Sequence, residues 1–554
     1  MNRVRVLIAG AALAALLPLT APPALAQDAG ELDAVFERWD SERTPGCAVG
    51  VSRNGEPVTL RSWGMADLEH GIPSTPASIY EAGSVSKQFT AAAVVLLALE
   101  GKLSLDDDIR TWVPEVPDYG HTITIRHLLN HTSGLRDWGS VAALSGWGRS
   151  DRTHDHDHVL DILSRQSALN YPPGEAYSYT NSGYNLLVVI VERVSGQGFA
   201  DFSRERIFEP LGLSSTQWRD DYRRLVPGRA TAYSPRDDHF VINQPIEHVH
   251  GNGGLLTTVE DLLTWTWSLE TASLAGPEFV ELMHETGVLN NGRPITYAAG
   301  LQVGEFRGLA RVSHTGATSG YRAYLARYPD PGVAVALLCN VSAANPGALG
   351  GAVSELFLEG QLAEDAGGDG EGETAALRLP TRDLEPLAGL YRNQATGVPM
   401  ELEVDGDRLR IQGGPGLRPL DEGVFQVGSG ERRFTFQGTG RAERPTIRET
   451  TGPWEEALWE PVEPVEPTMA ELAAYVGDYH SPDAESTWTV AVEEGELVIL
   501  RRPASSFSLE SVYADTFRSP LGLVRFHRDA RGRVVELGLR QGRVHDIRFR
   551  REIR

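Results

Sequence analysis

Ser84-Val85-Ser86-Lys87 carries the residue types of a lysine-activated nucleophile. An apolar run from Ala91 to Leu99 follows, so the stretch predicts a buried helix whose first turn holds Ser84 and Lys87. On a helix, positions three apart share a face, which puts the Lys87 amine within reach of the Ser84 hydroxyl. A serine hydroxyl attacks poorly until a neighbouring base takes its proton. A lysine withdrawn from water can be that base, because desolvation lowers its pKa. At a helix N-terminus the free backbone N–H groups also favour a developing oxyanion.

A lone S-x-x-K is weak evidence, since most such spacings are solvated helix surface. Two later segments strengthen it. Pro173-Gly174-Glu175-Ala176-Tyr177-Ser178-Tyr179-Thr180-Asn181 contains Tyr-x-Asn at Tyr179 and Asn181, and His314-Thr315-Gly316 follows the strand-like Leu309–Ser313. In this order they resemble the motifs of the penicillin-recognising serine hydrolases: class C β-lactamases, D,D-peptidases, D-aminopeptidases and related esterases. Arg126–Leu135 (RHLLNHTSGL) and Gly253–Thr258 (GGLLTT) are similar to that family as well, and the resemblance spans roughly residues 30 to 360.

The resemblance implies roles for particular residues. Ser84 would be the nucleophile, Lys87 its base, and Tyr179 the relay that carries the proton to the leaving group. Asn181 would hold Lys87 or a substrate carbonyl, and the N–H groups of Ser84 and Ala317 would form the oxyanion hole. His314 and Gly316 would line the substrate groove, with Asn252 and Gly253 near the pocket. His314 departs from the lysine heading this motif in β-lactamases and carboxypeptidases. A histidine near pKa 6.5 is mostly neutral at pH 7 and is a weaker anchor for a carboxylate. That departure is one the D-aminopeptidase-like members share.

His154-Asp155-His156-Asp157-His158 invites a metal reading. Alternate residues on one strand converge poorly on an ion, so a solvated polar face is favoured and no metal or other cofactor is expected. His248 and His250 precede Gly253 and could contact substrate or merely brace a loop.

The N-terminus has Arg3 and Arg5, an apolar stretch from Val6 to Leu17, then Ala24-Leu25-Ala26 before Gln27. This is the pattern of a secretory signal peptide over residues 1–26, which predicts an exported protein, periplasmic or secreted, free of the membrane after cleavage. The net charge of −24 disfavours nucleic acid, whose binding needs clustered basic residues.

The 554 residues exceed what one core usually accommodates. Strand patterns at both ends of residues 27–360, with helical patterns between, predict an α+β domain: one antiparallel sheet packed against a helical region. Asn54-Gly55 marks a hairpin near its start. An acidic, glycine-rich stretch over 361–380 reads as a linker. Beyond it, Leu387–Tyr391 aligns with Tyr475–Tyr479 at an offset of 88, as do Met400–Val404 with Trp488–Val492 and Leu409–Ile411 with Leu497–Ile499. Short alternating strands in both copies predict two small antiparallel β-barrels, over 381–460 and 461–554, with Pro461–Pro467 as a stiff spacer. A serine hydrolase followed by two barrels resembles the bacterial D-aminopeptidase layout.

Cys47 and Cys339 are the only cysteines. In the fold implied by the resemblance they open the first strand and end the last, which would be antiparallel neighbours. A disulfide and a pair of buried thiols both fit. The reading that results is a serine acyl hydrolase working through an acyl-enzyme, a D-aminopeptidase or related peptidase, on a small peptide, amide or ester. A carboxylesterase or weak β-lactamase is the alternative within enzymes, and a non-catalytic binder of cell-wall peptides the alternative outside them.

Overall fold

The computed structural model describes residues 23–363, 379–428, 432–438, 444–452 and 455–552. The expected signal peptide lies outside them except for its last four residues, where the Pro23–Phe36 helix begins. Most of the expected linker lies outside them too.

Six strands form one antiparallel sheet in the order Gln302–Phe306, Leu309–Thr318, Tyr321–Tyr328, Val333–Cys339, Cys47–Arg53, Glu56–Trp63. The last two are joined by Asn54 and Gly55, both at positive φ (51° and 84°), as a two-residue hairpin turn of matching twist requires. Side chains alternate across the sheet. Val49, Val51, Val335 and Leu337 pack with the Pro23–Phe36 and Pro346–Phe357 helices, while Ala48, Ala336 and Leu338 join the helical body on the other face. Small residues there let helices come close: a Cβ on Gly50 would lie 2.9 Å from Leu263 of the Val259–Thr271 helix.

Cys47 and Cys339 are register partners in this sheet and are joined as a disulfide. The bond settles what the sequence left open, and it ties the hydrolase domain's first sheet strand to its last. The Leu309–Thr318 strand also runs further than the expected Leu309–Ser313, carrying His314-Thr315-Gly316 within it rather than after it. Gly316 is the reason the pairing continues so close to the helices, as described below.

The other correction concerns His154–His158. These residues start a helix, His156–Ser164, and do not form a strand. Asp155 accepts from the His158 N–H, and the His158 ring reaches back to the Asp155 N–H, a capping box. His154 is buried against Trp138 rather than solvated.

Both C-terminal repeats are closed eight-stranded antiparallel barrels, from Gly389–Asn393 to Glu455–Pro461 and from Gly477–Ser481 to Val544–Arg551. The 88-residue offset is visible in detail. Tyr391 donates to the Leu387 carbonyl at 2.9 Å, and Tyr479 donates to the Tyr475 carbonyl at 2.7 Å. Phe434 and Phe526, 92 residues apart and so four beyond that offset, are both buried on the sixth strand of their barrels.

The second barrel docks on the hydrolase domain. Buried Asp483 accepts from Arg136 (2.6 Å) and from the Ser167 N–H (3.1 Å) and hydroxyl (2.8 Å). Trp488, inside the barrel, donates to the Leu144 carbonyl at 3.3 Å. No helix among the described residues is long and apolar enough to cross a membrane.

Candidate active site

Ser84 lies on a 3₁₀ turn, Gly83–Ser86, that runs straight into the Lys87–Leu99 helix. The expected first turn is therefore the tighter form, and it keeps Ser84 and Lys87 on one face. The helix is buried almost throughout, so Lys87 is wholly withdrawn from water.

Three groups surround the Lys87 Nζ: the Asn252 carbonyl oxygen at 2.6 Å, Asn181 Oδ1 at 3.0 Å and Ser84 Oγ at 3.3 Å. Burial, then the Arg149 and Arg543 charges, hold its pKa well below that of an ordinary lysine, with Asp137 opposing. A neutral amine has two N–H bonds and one lone pair. The two amide oxygens take the N–H bonds, which leaves the lone pair for the Ser84 hydroxyl. That is the hydrogen-bond arrangement of a general base.

Asn181 reaches Lys87 from the first residue of the Asn181–Ser195 helix, which Thr180 caps by accepting from the Ser182 N–H. Tyr179, just before this helix, sets its ring centroid 4.8 Å from Lys87 Nζ. Burial pushes its phenol pKa up, against the opposing effects of Ser84 and Arg543, so the hydroxyl stays protonated at neutral pH. Among the described residues no hydrogen bond of ordinary geometry occupies that buried hydroxyl. It is free to donate to a substrate atom.

The third side is the Leu309–Thr318 strand. A Cβ on Gly316 would lie 2.0 Å from the Ala82 carbonyl oxygen and 3.1 Å from Ser84 N. A Cβ on Gly83, at φ 51°, would lie 2.6 Å from Ala317 N. Only glycine fits either place, and the two together bring the Ser84 and Ala317 backbones side by side, where the oxyanion hole was expected. Gly253 runs beside the same turn, a Cβ there lying 3.8 Å from the Gly83 carbonyl oxygen. The Tyr80–Glu81 strand pairs with Leu255–Thr257 and carries the Gly251–Gly254 turn to this position. Buried Glu81 secures it, accepting from the Gly254 N–H (3.1 Å) and from Arg219 (2.8 Å). Asn252 contributes its backbone oxygen to Lys87, while its side chain accepts from Asn185 at 2.9 Å.

His314 is buried on this strand and lies 2.9 Å from the Tyr297 hydroxyl through Nε2. Its Nδ1 lies 2.6 Å from the Thr315 carbonyl, an acceptor only, which puts the proton on Nδ1 and makes Nε2 the acceptor from Tyr297. Burial and then the Lys87 charge lower its pKa to about 4, so it is neutral at pH 7.

The structure thus gathers Ser84, Lys87, Tyr179, Asn181, His314, Gly316, Ala317, Asn252 and Gly253 around one cleft. His248 and His250 are not part of it. His250 packs against Phe199 and Trp218, and braces its own loop through the His248 carbonyl. Three neighbours were not foreseen. Tyr297 holds His314. His131, in the RHLLNHTSGL segment, packs at a tilt against Tyr179 with ring centroids 4.2 Å apart. Arg543, from the second barrel, places its guanidinium 5.0 Å from the Tyr179 ring centroid. His131 had a signal, since it lies inside a segment already set apart by its resemblance.

A serine hydroxyl beside a buried lysine of depressed pKa, set between an antiparallel sheet and a helical body, is the arrangement of a serine hydrolase of the β-lactamase type. The family described as Beta-lactamase matches residues 32–356, more than half of the chain, and the chain belongs to that family. A domain of unknown function, DUF3471, matches residues 462–551, the region of the second barrel.

Penicillin-binding protein 4* of Bacillus subtilis (strain 168) is 31% identical over 317 residues, 54% of this chain and 69% of that protein. The D-aminopeptidase of Cereibacter sphaeroides (strain ATCC 17029 / ATH 2.4.9) is 26% identical over 476 residues, 84% of this chain and 86% of that protein. Among solved structures, the octameric penicillin-binding protein homologue from Pyrococcus abyssi superposes with a TM-score of 0.52 at 23% identity, over 87% of this chain and 98% of its own.

Proposed function

We propose that this serine hydrolase is an exported D-aminopeptidase or closely related peptidase that works through an acyl-enzyme on Ser84. The observation that carries the reading is the Lys87 amine: buried, depressed in pKa, and 3.3 Å from Ser84 Oγ with both its N–H bonds spoken for. Ser84 Oγ attacks the substrate carbonyl carbon as its proton passes to Lys87 Nζ. The N–H groups of Ser84 and Ala317 receive the negative charge on the carbonyl oxygen. Tyr179 gives its proton to the leaving amine nitrogen and takes the one on Lys87, the C–N bond breaks, and the acyl group stays on Ser84. Water then attacks the ester carbonyl as one of its protons passes to Lys87, the C–Oγ bond breaks, and Lys87 returns that proton to Ser84 Oγ, freeing the acid and the serine hydroxyl.

The D-aminopeptidase relative supports a peptide or amide substrate. The leader-like residues 1–26 and the Cys47–Cys339 disulfide support export, since such bonds persist outside reducing compartments.

A fluorophosphonate should add its mass to the Ser84 peptide, and Ser84→Ala should abolish the adduct and lower turnover by roughly 10³-fold or more. A panel of D-amino-acid amides, p-nitrophenyl esters and a chromogenic cephalosporin should show the amides cleaved best. Full activity in Ser84→Ala would overturn the reading, and a preference for the cephalosporin would replace the peptidase with a β-lactamase.

A further inference from the structure

We infer that Arg543 is a carboxylate anchor supplied to the active site by the second barrel, and that the preferred substrate bears a free carboxylate on its leaving residue. This rests on the acyl-enzyme reading above and names the substrate class for that site.

Arg543 follows Gly542 in the turn between the last two barrel strands, Val534–Gln541 and Val544–Arg551. The turn is fixed to the hydrolase domain by its backbone. The Arg543 carbonyl accepts from the Asp137 N–H at 3.2 Å and from Asn170 Nδ2 at 3.1 Å, and the neighbouring His545 N–H donates to Asn170 Oδ1 at 2.7 Å. The side chain takes no part in holding the turn. It lies over the Tyr179 ring, 44% exposed, with no hydrogen bond from its guanidinium among the described residues.

The nearest carboxylate, Asp137, is 3.9 Å away and already committed. Its Oδ1 accepts from the Ser140 N–H at 3.0 Å, and its Oδ2 accepts from the Asn181 N–H at 2.8 Å. The Asp137 pair is long and engages Nη1 alone, so the guanidinium fork can still take a bidentate partner, the geometry a carboxylate fits.

Charge and position select the ligand. His314 is held neutral, burial holds the Lys87 pKa well below that of an ordinary lysine, and Arg149, a further cation in the neighbourhood, is paired with buried Glu247. Arg543 is then a permanent positive charge beside Tyr179, held only by the long 3.9 Å pair with Asp137. It sits on Tyr179, the group that protonates the departing amine, so it faces the leaving residue and not the acyl group. A carboxylate on that residue meets the guanidinium. A free ammonium is repelled there and belongs at the acyl end.

The test separates this anchor from catalysis. In full-length Ser84→Ala, which cannot turn ligand over, calorimetry compares D-alanyl-D-alanine with its C-terminal amide, with and without a further Arg543→Gln. The free acid should bind at least 10-fold more tightly than the amide, and Arg543→Gln should remove most of that preference. Arg543→Lys, which keeps the charge and loses the fork, should fall between. In the Ser84-intact protein, the acid-to-amide ratio of kcat/KM should fall by a similar factor in Arg543→Gln. Equal affinities for the two ligands, or a preference unchanged in Arg543→Gln, would overturn the anchor. Binding preference without any turnover by the Ser84-intact protein would instead uphold the anchor and remove the peptidase.

Discussion

The Asn252 carbonyl oxygen lies 2.6 Å from Lys87 Nζ, closer than Ser84 Oγ at 3.3 Å. Together with Asn181 Oδ1, it decides which protonation state the pocket accommodates best. An amide oxygen accepts from an amine without demanding that the amine be charged; a carboxylate in the same place would demand it.

Asn181→Asp puts that carboxylate in place. The anion stabilises the ammonium and raises the Lys87 pKa, so less neutral base is present at any given pH. The acid limb of the kcat/KM profile should move to higher pH, with activity at pH 7 down by roughly 10- to 100-fold and partly recovered at alkaline pH. Asn181→Ala, which removes an acceptor without adding charge, should lower the rate with a much smaller displacement of the limb. An identical profile in both variants would mean that Asn181 does not tune the lysine.

Acid should destabilise this protein through its buried histidines. The His314 pKa falls from an ordinary 6.5 unfolded to about 4 folded, so between those values the unfolded chain binds the extra proton. The neutral form's full stability is present above about pH 6.5, declines as pH falls toward 4, and declines no further from this group below that. His131 and His250, also pushed down by burial, act in the same direction. Denaturant titrations of the wild type and His314→Gln across pH 7 to 4 should show a shallower loss in the variant, by on the order of 3 kcal/mol at most. Parallel curves would show that His314 is not among the titrating groups.

The Cys47–Cys339 bond closes a loop with a sequence separation of 292 residues. Replacing both cysteines by alanine should cost about 2–5 kcal/mol, most of it through a less constrained unfolded chain. Thiol counting on denatured, unreduced protein should find no free thiol in the wild type. Two reactive thiols there would contradict the bond.

Breaking the Arg136–Asp483 pair should loosen the barrel from the hydrolase domain. Asp483→Ala leaves the Arg136 guanidinium buried without its anion and removes the acceptor of the Ser167 N–H and hydroxyl, at a cost of about 3–5 kcal/mol. Limited proteolysis should then release the second barrel sooner than in the wild type. Unchanged cleavage kinetics would place the docking energy elsewhere, with Trp488 the next candidate.

Most of the side chains that meet in the cleft were legible because they sit in short contiguous motifs. Ser84 and Lys87 are one turn apart, and Tyr179 and Asn181 flank one helix cap. The hairpin at Asn54-Gly55 and the twin barrels were legible for a similar reason, since a turn or a repeat is a local pattern. Gly316 was read as part of a motif, but its packing against Ala82 and Ser84 is a contact between distant segments, and so the strand's true end was missed. Asp155 misled because an Asp and a His three apart can look like an alternating polar face while acting as a capping box. Tyr297 and Arg543 carry no local mark at all. Each reaches the cleft through tertiary packing that no window of sequence displays.

The docking of the second barrel has a consequence for the order of events on the ribosome. Ser84, Lys87 and Tyr179 emerge early and can assemble while the chain is still being made. Arg543 and the Asp483 contact arrive several hundred residues later. A nascent chain would hold Ser84 and Lys87 before it holds the rim that the barrel completes, so the cleft of a half-made molecule differs from that of the finished one. Any chain cut short before the barrel would keep that immature cleft for good.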